Sequence, residues 1–141
     1  MGLIDRFGST LEKFVARTSS LNYGRDTIQQ WAVEYAQTRN VSTVAIMDIG
    51  CGKGYDLDNI RKAIEHGRPG TKVEMHGIEF FPEAIRQSEA LGIHIVNDDL
   101  EKMVWPFPDQ SLDIVVANQI LEHTKEVFWI TSEVSRVLKP G

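Results

Sequence analysis

The stretch from Val44 to Gly54, VAIMDIGCGKG, constrains this chain more than any other. Four apolar residues lead into an acid, Asp48, and then into glycines at alternate positions, Gly50, Gly52 and Gly54. A short apolar run closed by glycines reads as a buried strand entering a tight turn. Just beyond, from Asp58 to Ile64, the spacing becomes helical. Strand, glycine turn and helix together aim backbone N–H groups at a ligand near a helix start. Glycine suits that turn because it lets the backbone approach closely and tolerates positive φ. An ordinary strand-to-helix turn can carry the same residues, so the weight falls on the rest of the chain.

Leu3, Ile4, Phe7, Leu11, Phe14 and Val15 recur at helical spacing between charged residues, which predicts an amphipathic first helix. Such a helix can meet a membrane or a partner, or cover its own core. Thr18 to Arg25 reads as a polar break, with Tyr23 and Arg25 placed either to close over a ligand or simply to begin a helix. The helix after it carries Ile28, Trp31, Ala32, Tyr35 and Ala36 on one face. A further helix through Leu57, Ile60, Ala63 and Ile64 stops at His66-Gly67-Arg68-Pro69-Gly70. Lys72 to Glu79 is expected to be the second strand, and Pro82 opens a helix that stops at Gly92. Ile93 to Val96 and Leu112 to Ala117 are the third and fourth expected strands. A last helix carries Val127, Phe128, Ile130, Thr131, Val134, Val137 and Leu138. Trp31 and Trp129 lie on helical stripes and read as core.

Strands alternating with helices specify an α/β fold, a parallel sheet with helices on both faces. At 141 residues the chain is expected to be one domain, with a helical cap over 1–40 and a sheet-and-helix core over 41–141. Twenty acids against 15 bases give a net charge of -5, which opposes binding to a phosphate backbone. No apolar run approaches the ~20 residues that span a bilayer. Arg6 stands where a myristoylation signal wants serine or threonine, and no basic-then-apolar leader precedes the first helix. The one cysteine, Cys51, forms no internal disulfide, and a cytoplasmic location is expected. Between two glycines, Cys51 reads as a small buried residue rather than a nucleophile.

Open parallel sheets bind ligands at the carboxyl ends of their strands. Each strand here brings polar residues to that edge: Asp48 and the glycines, Glu79, Asn97-Asp98-Asp99, and Asn118-Gln119. One acid at a strand end is often only a helix cap. Four such ends converging argue for a site, with Glu79 placed to take ribose hydroxyls. A dinucleotide fingerprint wants a third glycine where Tyr55 stands. Asp48 also suits a ligand with positive charge, a sulfonium or an ammonium, better than a pyrophosphate. His66, His76 and His94 fall on a loop and two strands without metal-ligand spacing, and no metal is expected.

Taken as a set, these residues resemble the class I S-adenosylmethionine-dependent methyltransferases of the small-molecule type. Asp48-Ile49-Gly50-Cys51-Gly52-Lys53-Gly54 is similar to the family's first motif, and Glu79-Phe80 to its ribose acid and adenine-stacking neighbour. Asp99-Leu100 resembles the adenine-reading pair. Trp105-Pro106-Phe107-Pro108-Asp109-Gln110-Ser111-Leu112-Asp113 resembles the approach to the fourth strand, and Ala117 to His123 and Arg136 to Gly141 follow the same pattern. The resemblance implies a Rossmann-like sheet in the order 3-2-1-4. The family's sheet has seven strands, so the match reads as a scaffold truncated after the fourth strand and its helix. Ile114, Val115 and Val116 would then form an open apolar edge, a place for a second copy to pair.

The resemblance also implies roles. Asp48 and the backbone of Gly50, Cys51, Gly52 and Gly54 would hold the methionine part of S-adenosylmethionine. Glu79 would take the ribose, Phe80 and Leu100 the adenine faces, and Asp99 its amino group. Asn118 would border the sulfonium, and Gln119 after it belongs to the expected cofactor-binding set. An oxygen acceptor would need a base, for which His123 is the candidate, although it also fits a packing role at the start of the last helix. Methyl transfer to a small-molecule acceptor is the function implied. Two other readings stand beside it, a non-catalytic cofactor-binding or interaction module and a dinucleotide-dependent oxidoreductase.

Overall fold

The computed structural model describes residues 23–141. The expected N-terminal amphipathic helix lies outside them. The described chain runs α1 (Tyr23–Arg39), β1 (Thr43–Ile49), α2 (Tyr55–Gly67), β2 (Lys72–Ile78), α3 (Pro82–Ala90), β3 (His94–Val96), β4 (Ile114–Val116), a 3-10 turn (Leu121–His123) and α4 (Val127–Val137). The four strands form one parallel sheet in the order β3-β2-β1-β4. It is an α/β, Rossmann-like sheet, as the alternating pattern requires.

β1 is the hinge of the architecture. Thr43 to Ile49 pair residue by residue with Lys72 to Ile78 on one side, and Ile46 to Asp48 pair with Ile114 to Val116 on the other. Its side chains alternate between two cores. Val44 and Ile46 pack with Ala32 and Ala36 of α1 and Leu57, Ile60 and Ile64 of α2. Met47 and Ile49 pack with Trp105 and with Ile130 and Val137 of α4. Being buried on both faces, β1 has to be apolar almost throughout. Asp48 is the exception, and it lies where β1 reaches the strand ends.

Each helix begins and faces as its residues dictate. α2 carries Asp56 and Asp58 in its first turn, favourable against the helix dipole, and buries Leu57, Ile60 and Ile64. α3 has Pro82 at its start and buries Ile85 and Ser88. The 97–113 connection has no helix and is fastened to α4 by a two-residue hub. Glu133 accepts the Trp105 N–H at 2.8 Å and two bonds from Arg136. Arg136 in turn donates to the carbonyls of Trp105 and Phe107. The Arg136 hydrogen bonds, with that of Trp105, hold the Glu133 carboxyl below its ordinary range despite burial.

A second fastening is Asp113, just ahead of β4. It accepts from Ala45 N–H at 2.8 Å, Tyr35 hydroxyl at 2.8 Å and Lys139 ammonium at 2.9 Å. Burial, reinforced by this hydrogen bond, pushes the Tyr35 hydroxyl up to about 12.

Several sequence expectations are corrected. α1 begins at Tyr23, so Gly24 and Arg25 are helical instead of belonging to the break. The strands are shorter than expected: Glu79, Ile93 and Ala117 lie just outside them. Leu112 instead makes an isolated bridge to Leu138. Trp31 is 65% exposed and Trp129 36%. The small residues Ala32 and Ala36 make the contact of α1 with the sheet, which leaves Trp31 at its margin. Trp129 uses its indole N–H on Met103 O at 3.2 Å. Phe128 on α4 is also exposed. His66 lies in the last turn of α2, not in a loop. His76 and His94 are neighbours across β2 and β3, with rings 5.5 Å apart.

Among the described residues β4 has no strand on its outer side. There, Ile28, Trp31 and Tyr35 of α1 and Ile114 to Ala117 line an apolar groove of ≈ 330 Å³. No described helix is long and apolar enough to cross a membrane.

Candidate ligand site at the strand ends

The carboxyl end of β1 opens into a polar cleft of ≈ 350 Å³. Asp48 and the turn from Gly50 to Tyr55 line one side of it, and Arg25, Asp56, Asn118 and Gln119 another. Gly54 has φ 78, and a side chain there would press to 2.3 Å from Ile93 and 3.1 Å from the Ser88 hydroxyl. Only glycine fits that combination of left-handed backbone and close neighbours. Gly52 differs: a Cβ there would meet nothing within 4 Å. Its backbone faces open space.

Two side chains hold the turn. Glu79, the residue after β2, accepts the Gly52 N–H at 3.0 Å through Oε2, and the Phe80 and Phe81 N–H groups at 2.8 and 3.0 Å through Oε1. The buried Ser88 of α3 donates to Gly52 O at 2.7 Å. Both bonds converge on Gly52, so the middle of the turn is fixed from β2 and α3 at once. Each Oε2 lone pair beyond the first can still accept a ligand hydroxyl.

Asp48 is 5% exposed, and among the described residues no hydrogen bond or ion pair reaches its carboxylate. Burial pushes its carboxyl up to about 8, and the charges of Asp56 and Glu79 push in the same direction. With Asp56 lining the same cleft and Glu79 bound beneath the turn, the buried Asp48 lacks a cation. On the rim, the Arg25 guanidinium meets Asp56 at 3.0 Å. Cys51 is buried, its thiol pushed up to about 12 by burial first and then by Asp48. A thiol held there is no nucleophile near neutral pH. Its sulfur sits where a side chain on Gly77 would be, 2.5 Å from that Cβ.

The expected site residues divide into two groups. Asp48, Gly50, Cys51, Gly52, Gly54, Asn118 and Gln119 come together around the cleft, with Glu79 bound beneath Gly52. Gln119 has φ 57, which turns the chain sharply after β4. Phe80 is exposed at the β2 end, its ring 4.3 Å from that of Phe81. Asp99, Leu100 and His123 are not among the residues lining the cleft. Asp99 holds Lys102 at 2.6 Å, and that bond keeps its carboxyl below the usual range. Leu100 is buried beside Trp105, whose indole N–H donates to its carbonyl. His123 is exposed in the 3-10 turn. Among the described residues no group of three metal-ligating side chains gathers.

Three parts of the site escaped the sequence reading. Ser88 left a signal, a polar residue on the buried stripe of α3. The Arg25–Asp56 pair joins residues 31 positions apart, and no local pattern announces it. Phe81 was hidden beside Phe80.

A family model described as a methyltransferase domain matches residues 47–141. The chain is 26% identical over 140 residues to an uncharacterized methyltransferase of Schizosaccharomyces pombe, covering 96% of this chain and 49% of that protein. It is 24% identical over 147 residues to the 27-O-demethylrifamycin SV methyltransferase of Amycolatopsis mediterranei, covering 97% and 53%. The chain thus spans about half the length of these relatives. In fold it matches the crystal structure of the plantazolicin methyltransferase BpumL in complex with a triazolic desmethylPZN analog and SAH. There the TM-score is 0.62 at 17% identity, over 94% of this chain and 51% of that one.

Proposed function

The chain belongs to the methyltransferase-domain family, and from that membership we propose that it binds S-adenosylmethionine and serves methyl transfer to a small-molecule acceptor. One observation carries the reading: Asp48, buried and without a partner among the described residues, in a cleft that Asp56 also lines, with Glu79 bound beneath the turn. A ligand with an ammonium and a sulfonium supplies the positive charge this arrangement lacks. Gly52, with open space where its Cβ would stand, leaves room for the ligand against the backbone.

Bound S-adenosylmethionine supplies an already activated methyl group on its sulfonium sulfur. The residues have only to bind, orient and exclude water. Asp48 and the backbone of Gly50, Cys51, Gly52 and Gly54 hold the amino-acid part. Glu79, immobilised by three backbone N–H groups, takes a ribose hydroxyl with the one lone pair left on Oε2. Phe80, exposed beside it, takes one adenine face; Leu100 and Asp99 take the other face and the amino group. Asn118 and Gln119, past the end of β4, border the transferring carbon. His123 follows in the next turn and serves as base where the acceptor is a hydroxyl.

The name of the Amycolatopsis relative, a 27-O-demethylrifamycin SV methyltransferase, supports the acceptor class. The net charge of -5 supports a partner other than nucleic acid, and the single cysteine supports a cytoplasmic location. The single domain, with helix ahead of the sheet-and-helix core, draws support from α1, whose Ala32 and Ala36 share one core with β1 and α2. Self-association along the open edge of β4 draws support from the apolar groove there.

Calorimetric titration of the chain with S-adenosylhomocysteine, with NADH as control, tests the reading. Saturable binding of the first alone is expected. Tighter binding of NADH, or no binding by a folded chain, overturns it.

A further inference from the structure

We propose that Ser88, on α3 behind the glycine turn, is a positioning residue for the ligand. Its hydroxyl holds the Gly52–Lys53 peptide so that the Lys53 N–H is offered to the carboxylate of the ligand's amino-acid tail. The inference rests on the S-adenosylmethionine reading above.

Cys51 to Gly54 form a β-turn, closed by the Gly54 N–H donating to Cys51 O at 2.9 Å. Gly52 at its first corner has φ 53, whereas Lys53 at the second corner keeps a negative φ. That combination is a type II′ turn. Turning the central peptide over gives type I′, in which Lys53 would need a positive φ as well. The carbonyl of Gly52 and the N–H of Lys53 exchange sides between the two forms, because a trans peptide points them in opposite directions. Whichever group faces the cleft decides whether the turn offers it an acceptor or a donor.

Ser88 makes that choice. Its hydroxyl donates to Gly52 O at 2.7 Å, which aims the carbonyl at α3 and the Lys53 N–H away from it. Ser88 is fully buried and is itself held, its own carbonyl accepting from Leu91 N–H at 3.0 Å and Ile93 N–H at 3.2 Å. The helix comes this near because residue 54 is glycine: a Cβ there would stand 3.1 Å from the Ser88 hydroxyl. Glu79 fixes the preceding peptide through the Gly52 N–H and leaves the Gly52–Lys53 peptide to Ser88. Among the described residues no acceptor meets the Lys53 N–H. Asp48 and Asp56 in the same cleft suit an ammonium. A carboxylate entering with that ammonium needs a donor, and the Lys53 N–H supplies one.

The test titrates the full chain and its Ser88→Ala variant with two probes. One is S-adenosylhomocysteine; the other is 5′-methylthioadenosine, which keeps the nucleoside and thioether and lacks the amino-acid tail. Ser88→Ala is expected to weaken S-adenosylhomocysteine about fivefold or more, and to leave methylthioadenosine within about twofold. Ile85→Val, a smaller side chain at the other buried position of α3, gives the structural baseline. It should lower the melting temperature and leave the ratio of the two affinities unchanged. Equal weakening of both probes by Ser88→Ala overturns the inference, as does no change in either, or the same split in Ile85→Val. Amide exchange of the wild type decides the matter even if Ser88→Ala does not fold. The Lys53 amide should exchange freely in the unliganded chain, become protected by S-adenosylhomocysteine and stay unprotected with methylthioadenosine. Equal protection by both probes, or none by either when both bind, overturns the inference. Wild-type chain that binds neither probe overturns the S-adenosylmethionine reading itself, an outcome distinct from binding that ignores Ser88.

Discussion

Glu79 and Gly52, 27 residues apart, are joined by a 3.0 Å hydrogen bond in which the glycine N–H donates to the carboxylate. The acid that the proposal assigns to a ribose is thus also a strut of the turn beside it. Glu79→Ala removes both functions. It is expected to lower stability by about 1–3 kcal/mol and S-adenosylhomocysteine affinity by about 1.5–3 kcal/mol. Denaturant unfolding and calorimetry measure the two separately. Unchanged affinity in a folded variant would take Glu79 out of the ribose role.

Asp48 makes the free chain pH-sensitive in an unusual direction. Its folded value, about 8, lies above the ordinary 3.8, so the folded state holds a proton that the unfolded state releases. Its contribution is fully present below about pH 4 and declines as pH rises towards 8. Asp48→Asn should remove that slope and stabilise the chain at pH 7 by on the order of 2–4 kcal/mol. The same variant should lose affinity for S-adenosylhomocysteine. Wild-type binding near pH 7 should release protons, seen as calorimetric enthalpies that vary with buffer ionisation.

His76 acts with the opposite slope. Burial first, and then the charge of His94, lowers its value; Glu74 of the same strand opposes this. Phe107 packs edge-on against the ring, and Lys72 pairs with Glu74 at 2.7 Å. A depressed histidine contributes stability that is complete above about pH 6.5 and falls away as pH drops through the folded value. From pH 7.5 to 5 the melting temperature of the wild type should fall relative to that of His76→Gln, a difference that isolates His76 from the opposite slope of Asp48.

The Glu133–Arg136 hub connects α4 to the Trp105 loop. Glu133→Ala leaves the Trp105 N–H without its acceptor and removes two bonds of the Arg136 guanidinium, which keeps Asp109 and the carbonyls of Trp105 and Phe107, and should cost about 1–3 kcal/mol. Trp105→Ala at the centre of the same core should cost about 3–5 kcal/mol. Equilibrium unfolding of both variants, with an unaltered denaturant slope, checks these values.

The edge of β4 makes a prediction about association. Sedimentation should show a concentration-dependent dimer of the chain. Val115→Lys, which sets a charge on the apolar strand, should shift it to monomer. A wild type that stays monomeric at every concentration counts against pairing along β4.

Much of this molecule could be read from local pattern. The apolar run Val44 to Met47 and the alternate glycines reveal β1 and its turn because both signals are contiguous. Pro82 and Gly92 bracket α3 for the same reason. The order β3-β2-β1-β4 came with the family resemblance. Periodicity alone misplaced Trp31, because a helical stripe says which residues share a face and not how wide the facing surface is. The groove at the β4 edge leaves that tryptophan beyond the sheet. The pairing of His76 with His94 depends on strand register, which no single strand encodes. Arg25–Asp56 and Ser88–Gly52 are likewise tertiary. Asp99, Leu100 and His123 were expected on motif alone, and they do not line the cleft with Asp48.

Asp113 has a consequence for how the chain reaches this state. Its partners Tyr35, Ala45 and Lys139 come from the helix before the sheet, the first strand and the segment after the last helix. During synthesis the first two are made long before the third. A nascent chain that has already assembled α1, β1 and β4 around this carboxylate still lacks its countercharge. The carboxylate thereby ties a helix, a strand and a segment almost a hundred residues further on into one unit, so a change at any of the three is felt by the other two.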